Sequence, residues 1–137
     1  MTALVFPGQG SQFVGMTKDF YDNFQEARHV FEEIEDCTKI KIKDIIFDNH
    51  SNLLNITQYT QLSIFCSSIA IFSVFKKKIN LDKLNIKYSL GHSLGEYTAL
   101  VASEVFSINE CSKLLKIRGE LMQSAFPENQ SGMNAVI

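Results

Sequence analysis

Leu90-Gly91-His92-Ser93-Leu94-Gly95-Glu96-Tyr97 is a G-x-S-x-G sequence set between two runs of different period. Ile86-Lys87-Tyr88-Ser89-Leu90 before it alternates apolar and polar residues and reads as a strand, whereas Thr98-Ala99-Leu100-Val101-Ala102 after it suits a helix. The chain is therefore expected to turn sharply from strand to helix at Ser93. In such a nucleophile elbow the serine hydroxyl is lifted clear of the sheet, and Gly91 and Gly95 remove side chains that would crowd the turn. Ser93 would stand at a helix N-terminus. There the backbone N–H of Leu94 is free to donate to an oxyanion of the kind that develops in acyl transfer. The competing interpretation is a glycine-bounded turn with an incidental serine, which the strand-turn-helix setting disfavours.

Around this turn, 137 residues with 45% hydrophobic and 11% aromatic content fit one domain with a buried core. A formal net charge of -2 leaves no electrostatic footprint for nucleic acid. The one basic run, Lys76-Lys77-Lys78, closes a helix-like segment and reads as a solvated helix end favoured by the macrodipole. Three cysteines, Cys37, Cys66 and Cys111, are odd in number and widely spaced, which argues against a disulfide framework and against a zinc site. They suit a reducing cytoplasm. The first residues, Met1-Thr2-Ala3-Leu4-Val5-Phe6-Pro7, lack the basic n-region of a secretory signal. The longest apolar stretch, Leu62 to Phe75, is interrupted by Cys66-Ser67-Ser68 and Ser73, so it is expected to be a buried helix and not a membrane span.

Upstream of the elbow, Thr2 to Phe6 reads as a short strand followed by the glycine-rich turn Pro7-Gly8-Gln9-Gly10-Ser11-Gln12. That turn either supplies a second oxyanion donor or is an ordinary strand-to-helix loop. Phe20, Phe24, Ala27, Phe31 and Ile34 mark one helix face, with Asp22, Glu26, His29, Glu33 and Asp36 on the opposite one, so His29 is expected in solvent. Ile40 to Phe47 is apolar but ambiguous, and Asp48-Asn49-His50-Ser51-Asn52 is a loop by composition. Thr60 is the expected N-cap of the helix over Leu62 to Phe75. Downstream, Ser107-Ile108-Asn109-Glu110 has capping-box spacing and opens a last helix with Cys111, Leu114, Leu115, Leu121 and Met122 as its apolar positions. Arg118 falls on that same stripe and is expected to point inward, towards either a structural ion pair or an anionic ligand. Phe126 to Gly132 reads as a turn, and Met133 to Ile137 as a strand.

With Phe6-Pro7-Gly8-Gln9-Gly10-Ser11-Gln12, Gly91-His92-Ser93-Leu94-Gly95-Glu96-Tyr97 and Arg118-Gly119 in one order, the sequence resembles the malonyl-CoA:acyl carrier protein transacylases. The likeness runs through Val14-Gly15-Met16, Asn55-Ile56-Thr57 and Thr60-Gln61 to Gly132-Met133-Asn134-Ala135-Val136-Ile137. It implies an α/β fold: an α/β-hydrolase-like acyltransferase core with a parallel sheet, joined by a ferredoxin-like subdomain. It also implies ping-pong transfer of malonyl from malonyl-CoA, as substrate and without a cofactor or metal, to the phosphopantetheine thiol of acyl carrier protein, a step of fatty acid biosynthesis. By that resemblance Ser93 is the nucleophile, Gln9 and Leu94 supply the oxyanion-hole N–H groups, and Arg118 clamps the malonyl carboxylate. His92 matches the motif histidine beside the nucleophile and is expected to be structural or to line the substrate pocket. One departure is Leu62, where the family commonly has proline, a change expected to touch only the first turn of a helix.

The larger departure is that family members are about twice this long, and their catalytic histidine lies well downstream of the arginine. Residues 1–137 are therefore expected to be an N-terminal portion, truncated where the ferredoxin-like subdomain begins, with a sheet edge left uncovered and a complementary C-terminal chain as a further partner. Two other functions remain open from the sequence. One is a serine esterase or thioesterase built on a similar elbow; the other is a catalytically silent fragment that keeps only binding surface.

Overall fold

Two short strands frame the chain, and each ends in glycine-rich sequence. The computed structural model describes residues 1–125; the expected turn at 126–132 and the expected strand at 133–137 lie outside the described residues. Strand β1 (Thr2–Phe6) pairs in parallel with β2 (Ile86–Gly91), Val5 opposite Leu90 and Phe6 opposite Gly91. Parallel partners need a long crossover, which here carries α1 (Lys18–Asn23), α2 (Gln25–Thr38), α3 (Ile42–Phe47) and α4 (Thr57–Lys78). After β2 come α5 (Leu94–Ala102) and α6 (Ile108–Ser124), giving a mixed α/β arrangement. Because the strands run the same way, the loops that leave Phe6 and Gly91 emerge at the same end of the sheet.

Helix α4 is the centre of the core. It packs against α2, α5 and α6, and Phe72 meets Phe6 of β1 edge-on with ring centroids 6.0 Å apart. That explains why its apolar residues run nearly all round: Leu62, Ile64, Phe65, Cys66, Ile69, Ala70 and Val74 are all buried. By length and composition alone this 22-residue helix is long and apolar enough to cross a bilayer, but it is the buried helix expected from Leu62 to Phe75. Most of that apolar window is buried inside the protein.

Thr60 is not the N-cap. The helix begins a turn earlier, at Thr57, and the buried Thr60 hydroxyl instead donates to the carbonyls of Leu54 (2.6 Å) and Ile56 (3.0 Å). Leu62 accordingly lies beyond the first turn, where proline would remove a helical N–H, so the departure at that position is not confined to how the helix starts. The lysines that end α4 are exposed in its last turn, as expected, and each also has a surface partner. Lys76 pairs with Glu104, Lys77 pairs with Glu26, and the Lys78 ammonium lies 5.5 Å from the centroid of Phe24.

The Phe20 to Ile34 stripe is real but interrupted. Phe24 is extended (φ -129°, ψ 127°), and Arg28 donates to the carbonyls of Tyr21 (2.9 Å) and Asp22 (3.0 Å), satisfying the end of α1. Ala27, Val30, Phe31 and Ile34 are buried, and His29 is exposed. The ambiguous Ile40 to Phe47 stretch is helical, with Ile42, Ile45 and Ile46 in the core. On α6 the capping box forms, and Cys111 and Leu115 are buried as expected. Leu114, Leu121 and Met122 are not, at 44%, 64% and 42% exposed. The buried line of α6 runs instead through Cys111, Ser112, Leu115 and Gly119, because the small residues at 112 and 119 let the helix approach its neighbours closely.

Candidate active site

Ser93 lies between Gly91, which ends β2, and Leu94, which opens α5. Its backbone is at φ 55° and ψ -110°, a conformation that costs a non-glycine residue about 1–3 kcal/mol and that persists only where its surroundings enforce it. Three hydrogen bonds do so: His92 N–H to the Phe6 carbonyl (3.2 Å), Gly95 N–H to the His92 carbonyl (2.9 Å) and Glu96 N–H to the Ser93 carbonyl (3.1 Å). The glycines are a steric requirement. A Cβ on Gly91 would lie 1.9 Å from the carbonyl carbon of Gly95, and a Cβ on Gly95 would lie 2.5 Å from the Phe6 oxygen. The elbow is thus pressed onto the end of β1, with Leu94 fully buried and Ser93 exposed. As the first residue of α5, Leu94 has an N–H beyond the reach of any intrahelical acceptor.

The loop after β1 lies alongside. A Cβ on Gly8 would fall 2.4 Å from His92 Nδ1, so the His92 ring packs against that loop. Gln9, the next residue, turns its side chain to the start of α4, where Nε2 donates to Thr57 Oγ1 at 3.1 Å. Arg118 arrives from α6. Its Nη2 donates to Ser93 Oγ at 3.1 Å, its Nη1 donates to Gln61 Oε1, and its guanidinium carbon lies 5.6 Å from the Tyr97 ring centroid.

Arg118 is half-buried, as its place on the stripe suggested, but its partners are not those of a structural ion pair. The ion pairs among the described residues join Lys18 to Asp22, Lys76 to Glu104 and Lys77 to Glu26. None involves Arg118. A guanidinium held by an amide, a hydroxyl and an aromatic face, with no carboxylate partner among the described residues, is suited to an anionic group on whatever reacts beside the serine.

None of the three histidines is hydrogen-bonded to Ser93 among the described residues. His29 is bonded to Gln25 at 3.2 Å on the exposed face of α2, His50 is exposed in the turn after α3, and His92 faces Gly8. Burial disfavours the thiolate form of all three cysteines. Burial pushes Cys111 up to about 12 and Cys66 well above its ordinary value, and burial also raises Cys37. Among the described residues, no group of three or more His, Cys, Asp or Glu is placed to hold a metal ion.

Gln61, Tyr97 and Thr57 were not foreseen as parts of the site. Gln61 carried no separate signal in the sequence, where Gln58, Thr60 and Ser63 surround it, and only its burial shows that its amide must find partners.

A family model described as the acyl transferase domain matches residues 3–137. A "Malonyl CoA-acyl carrier protein transacylase" of Bacillus subtilis is 41% identical over 98% of this chain, which covers 33% of that protein. The crystal structure of an acyl-carrier-protein-S-malonyltransferase from Bartonella henselae superimposes with a TM-score of 0.86 at 42% identity, over 93% of this chain and 41% of that one. A malonyl-transacylase solved in complex with its type II PKS acyl-carrier protein superimposes with a TM-score of 0.84 at 36% identity, over 92% of this chain and 40% of that one. The chain thus spans well under half the length of each of these proteins.

Proposed function

Because the chain belongs to the acyl transferase domain family, we propose that it carries the nucleophile and carboxylate-binding parts of an enzyme that moves malonyl from malonyl-CoA to the phosphopantetheine thiol of acyl carrier protein. The observation that carries this is the 3.1 Å contact between Arg118 Nη2 and Ser93 Oγ, which sets a guanidinium with no ion pair among the described residues beside an exposed hydroxyl on a strained turn. Malonyl is the acyl group this pairing fits, because its free carboxylate accepts two parallel hydrogen bonds from the guanidinium while its thioester carbonyl lies at the hydroxyl.

Ser93 Oγ bonds to the thioester carbon as its proton passes to a base, and the tetrahedral oxyanion is stabilised by N–H groups, for which Leu94 and Gln9 are the candidates. The carbon–sulfur bond then breaks and coenzyme A leaves with a proton on sulfur. The thiol of acyl carrier protein attacks the malonyl-serine ester in the reverse sense, returning the proton to Ser93. The base is expected from residues other than His29, His50 and His92, and His92 lines the pocket. The complete fold is expected to be an α/β-hydrolase-like core with a ferredoxin-like subdomain.

Intact-mass spectrometry of the full-length protein after incubation with malonyl-CoA tests the assignment. A malonyl adduct is expected on the wild type and none on Ser93→Ala. An adduct that survives the substitution would move the acyl group to another residue and sink the role of Ser93.

A further inference from the structure

Arginine has a long side chain, so its usefulness as a recognition group depends on what stops the guanidinium from swinging. Here the stop is Gln61, fully buried on α4. Its carbonyl Oε1 accepts from Arg118 Nη1, and its Nε2 donates to Met122 Sδ at 3.2 Å. These two partners fix which way the amide faces. A guanidinium only donates and a thioether sulfur only accepts, so the reversed amide would oppose donor to donor and acceptor to acceptor. Arg118 and Met122 are one helical turn apart on α6, so that helix clasps the amide between successive turns. Gly119 permits the approach: a Cβ there would lie 2.9 Å from the Gln58 carbonyl oxygen, one turn before Gln61 on α4.

We propose that Gln61 is a positioning residue for Arg118, a neutral acceptor that anchors Nη1 so that Nη2 faces Ser93 while the positive charge stays available to the substrate carboxylate. This rests on the assignment of Ser93 as nucleophile and Arg118 as carboxylate-binding group. The amide is the side chain that does both jobs. Glutamate in its place would anchor the guanidinium equally well but neutralise it, and a hydrocarbon would leave Nη1 without an acceptor and the head free to swing.

The test measures adduct formation on the full-length protein with malonyl-CoA and acetyl-CoA, resolving KM from kcat for each. Gln61→Leu is expected to raise KM for malonyl-CoA roughly tenfold with little effect on acetyl transfer, which also reports that the variant folds. Gln61→Glu is expected to lose most of the preference for malonyl, roughly a hundredfold. Met122→Leu, at a more exposed position, is expected to give a smaller loss in the same direction and keeps the proposal testable should the buried variants fail to fold. In an Arg118→Ala background none of the three should reduce the preference further. Equal losses for both acyl groups, or undiminished malonyl preference in all three variants, would overturn the role of Gln61 while leaving Ser93 and Arg118 in place. A wild type without a malonyl adduct, or an Arg118→Ala variant with its preference intact, would overturn the underlying assignment and the proposal together.

Discussion

At Ser93 the backbone adopts an unfavourable conformation because its neighbours leave no other, and the two flanking glycines make that possible by steric absence. Gly95→Ala should therefore be severe. Its new methyl would sit 2.5 Å from the Phe6 carbonyl oxygen, which belongs to a paired strand and cannot retreat cheaply. A loss of about 3 kcal/mol or more is expected, read as a large drop in Tm or failure to fold. Arg118→Ala should act chiefly on selectivity, since the side chain is half-buried and takes part in no ion pair among the described residues, with a folding cost of about 1–3 kcal/mol for the buried Gln61 oxygen left without its donor. Malonyl transfer is expected to fall by roughly a hundredfold relative to acetyl transfer, the worth of a lost charged hydrogen bond of about 2–3 kcal/mol. Equal losses for both acyl groups in a competition assay would make Arg118 a structural residue. Ser93 and Arg118 were legible in the sequence because one sits in a short local motif and the other interrupts a helical stripe. Gln61 and Tyr97 were not, because what gives them a part in the site is contact between helices distant in the chain.

Helices α4 and α6 show which element boundaries a sequence declares. Ser107 and Glu110 announce the start of α6, and the box forms as spaced: Glu110 N–H donates to Ser107 Oγ (3.2 Å) and Ser107 N–H donates to Glu110 Oε2 (2.9 Å). The start of α4 has no side-chain cap, so the nearest hydroxyl before the apolar run was a false signal. Ser107→Ala is expected to cost about 1 kcal/mol, seen as a Tm lowered by a few degrees with acyl preference unchanged. The cap also carries a pH dependence. Hydrogen bonds from the Ser107 side chain, then from the Ser107 backbone, hold the Glu110 carboxyl below its ordinary value in the folded chain. Protonation is thus easier in the unfolded chain, so this contribution is complete above the ordinary carboxylate value and fades as pH falls through the lowered one. Thermal melts of wild type and Ser107→Ala should converge across that acidic window. A Tm difference that stays constant there would remove the Glu110 contact from the account. The orientation of α6 was not legible, since leucines suggested its inner face while the structure chose the smaller residues.

Across the whole molecule, parallel pairing of β1 and β2 sends both glycine-rich loops to one end of the sheet and leaves a face that carries Val5, Tyr88 and Leu90 at 72%, 56% and 54% exposed. The two strands and the burial of α4 were legible as local patterns and the parallel sheet followed from the family resemblance; the break at Phe24 and the start of α4 depended on packing that no local pattern encodes. Residues 1–137 expressed alone are expected to self-associate through the apolar sheet face, as sedimentation would reveal. Their malonyl transfer is expected to lie at least about 10⁴-fold below that of a full-length relative, for want of a base bonded to Ser93. Self-association that disappears and activity that returns when the remaining part of a relative is supplied in trans would support both expectations; near-native activity from residues 1–137 alone would assign the base to one of their own histidines. The contact of Gly119 with Gln58 has a consequence of a different kind. Ser93 rides on the sheet and α5, while Arg118 rides on α6, and the spacing between these bodies is gauged where α6 bears on α4. A hydrogen atom in place of a methyl group works there as the shim of a caliper: its thickness sets the opening of the jaws, the Ser93 hydroxyl on one side and the Arg118 guanidinium on the other.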